Sequence, residues 1–356
     1  MTHPYLEQPD YTFWRRSISD VPPNEVDPVV SSKFLISKKD KVATAGSCFA
    51  QHIARFLKDS GFNYFVTEPA HPIATPESAK MHAYGDFTAR YGNIYTSRQL
   101  LQLFDRAYGK FVPADNAWET EQGRFIDPFR QQVQPSGFSC IEELELDREQ
   151  HFAAVRRAFE ELDVFVFTLG LTETWESTED GAVYPICPGV NGSTFDAKKH
   201  HFVNLTVDQV TSEMTDFIAK LRSVNREAKV ILTVSPVPLI ATALDRHVLV
   251  STTYSKSVLR VAAENIVSSL SDVFYFPSYE IITGDYSRGR YFAKDCRSVL
   301  EQGVRHVMRL FMEHYTNSET EKDTVTEIST QENSEAYLKE MERLVEVNCD
   351  EEALER

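Results

Sequence analysis

Ser47 stands where a hydroxyl can do chemistry. An apolar run, KVATAG at 41–46, ends at Gly46, and Ser47 leads directly into a helical pattern, CFAQHIARFLK at 48–58. A tight turn at a helix N-terminus offers backbone N–H groups to a developing oxyanion. The same position also suits a plain helix cap, in which the serine oxygen only accepts a backbone N–H, and spacing alone leaves both roles open. Cys48 is a second nucleophile candidate, because a helix N-terminus makes a thiol more acidic; its simpler role is a small buried side chain. Polar residues also stand at the exits of three further apolar runs: Gly170, Thr172 and Glu173 at DVFVFTLG (163–170), Ser235 in KVILTVSP (229–236), and Ser278 and Glu280 at DVFYFPS (272–278). Ligands of open parallel sheets bind outside the carboxyl ends of the strands, which makes these exits the places to search.

Such exits need a sheet to hold them. The four runs are rich in Val, Ile and Phe, as strands covered on both faces require. Between and after them, apolar residues recur every three or four positions. Val207, Val210, Met214, Phe217, Ile218 and Leu221 mark one helix, Val258, Leu259, Ala262, Ile266 and Leu270 a second, and Leu300, Val304, Val307, Met308 and Phe311 a third. Strand–helix–strand order with right-handed crossovers predicts an α/β protein with a three-layer, doubly wound, mostly parallel sheet. Two stretches exceed an ordinary crossover: a large insert after the first β-α unit, at about 67–150, and the loop-rich 176–206. The larger insert is rich in aromatic residues, among them Tyr84, Phe87, Tyr91, Tyr95, Phe104, Trp118 and Phe129. They either stack on a sugar or, as aromatic residues more often do, fill the insert's own core.

The string Gly46-Ser47-Cys48-Phe49-Ala50 is the signature of the GSCFA family. GNIYT (92–96), FTLGLTETW (167–175), TVSPVP (233–238), TTYSKS (252–257) and YFPSYEI (275–281) extend that resemblance over about residues 10–315. The family is similar to the SGNH hydrolases, flavodoxin-like esterases and acyltransferases with a serine nucleophile, Gly and Asn in the oxyanion hole, and a histidine base. The resemblance implies Ser47 as nucleophile and Gly92 as the oxyanion-hole glycine, with a plain turn glycine as the alternative reading. Asn93 beside it is a substrate-binding candidate. The superfamily's G-x-N-D string appears as Gly170-Leu171-Thr172-Glu173, so a threonine hydroxyl with one rotatable donor replaces an asparagine amide with two fixed ones. Thr172 is then an oxyanion donor. Glu173 is either a substrate contact or, with Trp175, a helix-start and packing residue.

The superfamily's D-x-x-H string aligns with Asp295-Cys296-Arg297-Ser298, and its histidine is missing. A serine without a base is a poor nucleophile at neutral pH. His247, after the third strand and before TTYSKS, is the best substitute. His52 lies more than one helical turn from Ser47, and His200 and His201 fall in the second insert. Lys256 offers a second route, since a desolvated lysine can serve as base to a serine, although Tyr-Ser-Lys-Ser also reads as an ordinary helix start. Lys256, Glu280 and Asp295 join Asn93 and Glu173 as substrate-binding candidates. The function expected is a serine esterase or O-acyltransferase on an acylated, carbohydrate-like small-molecule substrate, the carbohydrate coming from the resemblance alone. Its alternative is a catalytically silent SGNH-fold factor that binds a glycan or a protein in polysaccharide biosynthesis.

Composition narrows the classes. The 356 residues carry a net charge of −16; residues 317–356 hold 13 acids and 4 bases, a net of −9, which leaves −7 for residues 1–316. A mildly acidic body without a basic cluster argues against duplex nucleic acid as a partner. The five cysteines are odd in number, scattered and never spaced C-x-x-C, so reduced thiols and no zinc ribbon are expected. Asp196, His200 and His201 have no partner spacing that would make a metal site, and neither metal nor cofactor is expected. No apolar run reaches the ~20 residues of a membrane helix, and the first residues lack a signal-like apolar stretch, so a cytoplasmic location and no membrane partner are expected. Residues 1–315 read as one domain. The acidic 316–356 reads as a disordered linker over 316–334, followed over 335–347 by a short terminal helix that is either frayed or a protein-binding face.

Overall fold

β1 (Val42–Gly46) is five buried residues, small or β-branched, and α1 (Phe49–Asp59) follows it with Phe49, Ile53 and Leu57 turned to the core. The computed structural model describes residues 3–30, 32, 34–317 and 350–355. They form two units, one of residues 39–275 with 350–355 and one of residues 3–38 with 276–317.

In the larger unit, the chain leaving α1 returns along the outer edge of β1 for a single parallel bridge, Val42 to Tyr64. Val42 N–H donates to Asn63 O (3.0 Å) and Phe65 N–H to Val42 O (2.9 Å). The insert follows, with α2 (Pro76–Met81), α3 (Ser97–Ala107), β2 (Trp118–Glu119), β3 (Phe125–Ile126) and α4 (Ile141–Glu161). After it come β4 (Val164–Leu169), β5 (Glu173–Ser177), β6 (Val183–Tyr184), β7 (His200–Asn204), α5 (Val207–Val224), β8 (Lys229–Val234), α6 (Val248–Ser269) and β9 (Val273–Tyr275).

The central sheet is parallel throughout, in the order β1-β4-β8-β9. Each of its strands lies inside the apolar run that predicted it, and the α/β class follows. With the 62–65 segment counted as a rudimentary strand, the order is flavodoxin-like: the second strand flanks the first on one side, and the later strands run away on the other. The direction of strand addition therefore reverses between β1 and β4, and in such sheets a crevice opens at the reversal. α5 starts with a capping box, Thr206 with Gln209, and packs on α3 and α6.

Residues 173–177 are a strand, not the start of a helix. β5 pairs antiparallel with β6 and β7, placing Trp175 opposite Tyr184 and Phe202, and Thr174 opposite Val203. Aromatic and β-branched pairs of this kind favour a pleated surface. The insert's aromatic residues mostly fill its own core: Phe87, Tyr91, Tyr95, Phe104, Trp118 and Phe129 are all buried. Phe104 stacks on Tyr108 and Phe159, and Phe129 on Tyr184.

The smaller unit contains α7 (Ser278–Thr283) and α8 (Glu301–Tyr315). Phe276, Phe311 and Tyr315 pack together there, and Ile36 bridges Thr316. Apart from Thr316 and Asn317, the expected linker at 316–334 and terminal helix at 335–347 lie outside the described residues. Among the described residues, no helix is long and apolar enough to cross a membrane, and Cys48, Cys140, Cys187 and Cys296 are in no disulfide.

The insert is pinned by a buried carboxylate. Asp127 accepts from Phe129 N–H (3.0 Å), Arg130 Nε (3.1 Å) and Arg148 Nε (3.2 Å). Burial opposes its ionisation, but the guanidiniums of Arg130, Arg148 and Arg106 outweigh burial and hold its carboxyl well below the usual carboxylate range. Asp127→Asn leaves buried guanidiniums without their counter-charge and should cost about 3–5 kcal/mol in urea denaturation. A depressed carboxyl contributes stability that is present above its unfolded pKa and lost as pH falls through its native one. The wild type should therefore lose this contribution below about pH 4, and Asp127→Asn should show a shallower acid dependence.

Candidate active site

The site begins with backbone geometry. Ser47 N–H donates to Thr168 O (3.2 Å), carrying the β1–β4 ladder one residue past β1. Gly46 has φ +141°, and a Cβ there would fall well inside contact distance of the Thr168 carbonyl oxygen, so this position accepts only glycine. Segment 92–96 then fits between the diverging strand ends: Ile94 N–H donates to Gly46 O (2.8 Å), while Tyr95 O accepts from Gly170 N–H (3.0 Å) and Leu171 N–H (3.1 Å). Gly92, at φ +71° with open space around it, turns the chain into that segment. Asn93 accepts on Oδ1 from Gln51 (3.2 Å) and on its carbonyl from Gln99 (2.9 Å).

Ser47 itself is 3% exposed, and its Oγ is buried with no hydrogen-bond partner. Cys48 is the N-cap of α1, and no side-chain oxygen caps that helix. The hydroxyl therefore does not serve as a cap. Gly170 lies against it, since a Cβ on Gly170 would be 3.0 Å from Ser47 Cβ. Beside the hydroxyl is a hollow lined by Ser47, Cys48, Tyr95, Gly170, Leu171, Ser235, Val237, Pro238, Leu239, Lys256 and Glu351. Its volume, counted at the centres of water-sized spheres, is about 10 Å³, room for a single water.

Lys256 is the basic side chain of that hollow. It is 2% exposed, and its Nζ donates to Gly170 O at 2.6 Å. The preceding residue, Ser255, accepts the Thr172 N–H (3.0 Å). Thr172 is fully buried, and its hydroxyl donates to Asn204 Oδ1 at 2.6 Å, tying the end of β4 to β7. The Glu173 carboxylate accepts from the Thr242 hydroxyl (2.6 Å) and from Ala243 N–H (3.3 Å), bracing the chain before α6. Of the residues chosen from the sequence, the structure brings Ser47, Cys48, Gly170, Ser235 and Lys256 together. Gly92, Asn93, Thr172 and Glu173 shape the surrounding backbone without lining the hollow.

His247 is exposed at the N-cap of α6, where its Nδ1 accepts the Leu249 N–H (3.1 Å). His52 is buried against Arg55 (3.1 Å), and burial, then Arg55, pushes its pKa down to about 3. Among the described residues, no histidine lines the hollow. Glu280 and Asp295 fall in the smaller unit. Glu280 is on α7; Asp295 closes an exposed turn, accepting from Ser298 Oγ (2.5 Å) and from the N–H groups of Arg297 and Ser298 (3.0 Å each). No three His, Cys, Asp or Glu side chains among the described residues could hold a metal ion.

The sequence profile of the GSCFA family matches residues 41–311. The chain belongs to the GSCFA family. No curated protein sequence matches this GSCFA chain. Among solved structures, it is similar to an acetyl xylan esterase from the rumen bacterium Butyrivibrio proteoclasticus, with 14% identity and a TM-score of 0.22. That comparison covers 67% of the GSCFA chain and 55% of the esterase, so the chain spans about half the esterase's length, at a likeness too low to bear on fold or activity. Tyr95 was named only among the insert's aromatic residues and Pro238 not at all, although both stand in family strings, GNIYT and TVSPVP. Glu351, far along the acidic tail, carried no sequence signal.

The two glycines of this region should respond differently to a methyl group. Gly46→Ala combines backbone strain with a clash against a fixed carbonyl and should cost about 3 kcal/mol or more. Gly92→Ala meets open space and should cost only the ~1–2 kcal/mol of a left-handed residue. Urea denaturation of both variants measures the difference.

Proposed function

We propose that this protein is a serine esterase or O-acyltransferase that acts through Ser47, with Lys256 as proton acceptor in place of the absent histidine. One observation carries the reading: a buried hydroxyl without a partner, at the strand-order reversal, shares a hollow with a lysine amine. In the reaction, Ser47 Oγ adds to an ester carbonyl and gives its proton to neutral Lys256. Collapse of the tetrahedral adduct expels the alcohol, which takes that proton, and leaves an acyl-serine. Water or a second alcohol, deprotonated by the same amine, then receives the acyl group. An acylated carbohydrate is the proposed substrate class, on the family resemblance alone.

The second reading is a catalytically silent binding protein. The Ser47 N–H is occupied by Thr168 O and the Thr172 hydroxyl by Asn204, so neither is available as an oxyanion donor in this state. The hollow would also have to open before an acyl group could enter.

A fluorophosphonate probe separates the two. Under the enzymatic reading the wild type labels and Ser47→Ala does not. Lys256→Met should label about 10²–10⁴ times more slowly while keeping a cooperative thermal transition, and His247→Ala should stay within about twofold of wild type. No labelling of the wild type anywhere from about pH 6 to 9 would establish the binding reading instead.

A further inference from the structure

We propose that the insert binds a small monoanion, of halide to nitrate size, in a second cavity whose donors are Arg106 and Arg130. Arg106 Nε, Arg130 Nη1 and His151 Nε2 are all buried without a hydrogen-bond partner, and all three residues line this one cavity. Arg130 is 4% exposed and His151 fully buried. A native structure rarely leaves one buried donor unmet, because each costs free energy. Two unmet donors, with an unmet acceptor on a third residue of the same lining, mark a place for a ligand. The cavity volume, counted at the centres of water-sized spheres, is about 20 Å³, enough for a small ion or one or two waters.

Charge decides between ion and water. Four guanidiniums, of Arg90, Arg106, Arg130 and Arg148, sit among three carboxylates, of Glu68, Asp127 and Asp147. Arg90 pairs with Glu68 and Asp147, Arg130 with Asp127 and Asp147, and Arg148 with Asp127. Among the described residues Arg106 has no carboxylate within ion-pair distance, and it lies instead over the rings of Phe129 (3.9 Å) and Phe152 (5.3 Å). Burial lowers its pKa to about 9, because the opposing pull of Asp127, which Arg130 and Arg148 already pair, does not outweigh it and those two guanidiniums add to the lowering. His151 adds no charge, since burial and Arg130 lower its pKa. Its Nδ1 bonds Glu68 at 2.7 Å, so Nε2 presents a lone pair that accepts from a water beside the anion. One positive charge is thus unmatched, and one negative charge completes the set. Gln99 also lines the cavity and holds Tyr95 N–H (2.9 Å) and Asn93 O (2.9 Å), so the occupant would brace the segment that walls the Ser47 hollow.

Thermal unfolding of the full chain at fixed ionic strength tests this, with chloride or nitrate replacing gluconate, an anion too large to enter. The wild type should show a saturating rise in Tm of about 2 °C or more. Arg106→Met should abolish the rise and, in gluconate, be at least as stable as wild type, because it removes an unpaired buried charge. No anion-dependent rise in the wild type, or an equal rise in Arg106→Met, would overturn the proposal. Should that variant fail to fold, wild-type crystals soaked in bromide give an independent answer. An anomalous peak within about 3.5 Å of Arg106 Nε and Arg130 Nη1 is expected, and a cavity holding water alone would refute the site.

Discussion

Where β1 and β4 diverge, their last peptide groups lose the neighbour a sheet would provide, and buried peptide groups cannot stay unpaired. The structure around Ser47 answers that requirement. Segment 92–96 takes one partner from each strand end through Ile94 N–H and Tyr95 O, and α6 supplies the rest through Lys256 Nζ to Gly170 O and Ser255 Oγ from Thr172 N–H. Nearly every polar atom in this region is committed to closing the sheet. The Ser47 hydroxyl is an exception, and the functional reading rests on it.

The parts of this arrangement legible in the sequence were those encoded locally. VATAG, VFVFTL and KVILTV announce buried parallel strands because a strand covered on both faces needs no polar alternation. The strand at Tyr64 was not legible, since one bridge leaves no run to see, yet that single pair makes the order flavodoxin-like. β5 and β7 were equally hidden: each is five residues long, and their pairing joins segments separated by a loop of more than twenty residues. Side-chain roles followed the same rule. Ser47 stood out from its place between strand and helix, but the commitment of Thr172 to Asn204, or of Glu173 to Thr242, depends on partners brought near only by folding. His247 was attractive by type and position along the chain, and its ring is used to cap its own helix.

The insert shows a similar separation of pattern from placement. Its aromatic residues advertise a core, and they form one. Its arginines carry no comparable signal in the sequence, yet Arg90 and Arg130 are almost fully buried in a network with Glu68, Asp127 and Asp147. Arg90 also lies over the ring of Tyr84 at 4.1 Å, so the guanidiniums are packed on aromatic faces as well as paired. Such networks specify one arrangement of their members, because any misplacement leaves a buried charge exposed to an apolar wall.

Lys256 has an architectural duty that would persist without any chemistry: it neutralises a carbonyl dipole at the mouth of the sheet, one residue from a serine that does the same for an amide. Any chain with this sheet would need both contacts whatever its chemistry, so a lysine at position 256 is by itself no marker of enzymatic competence. The Ser47 hydroxyl supports no neighbour in this way, so folding alone places no demand on it and only a chemical role would.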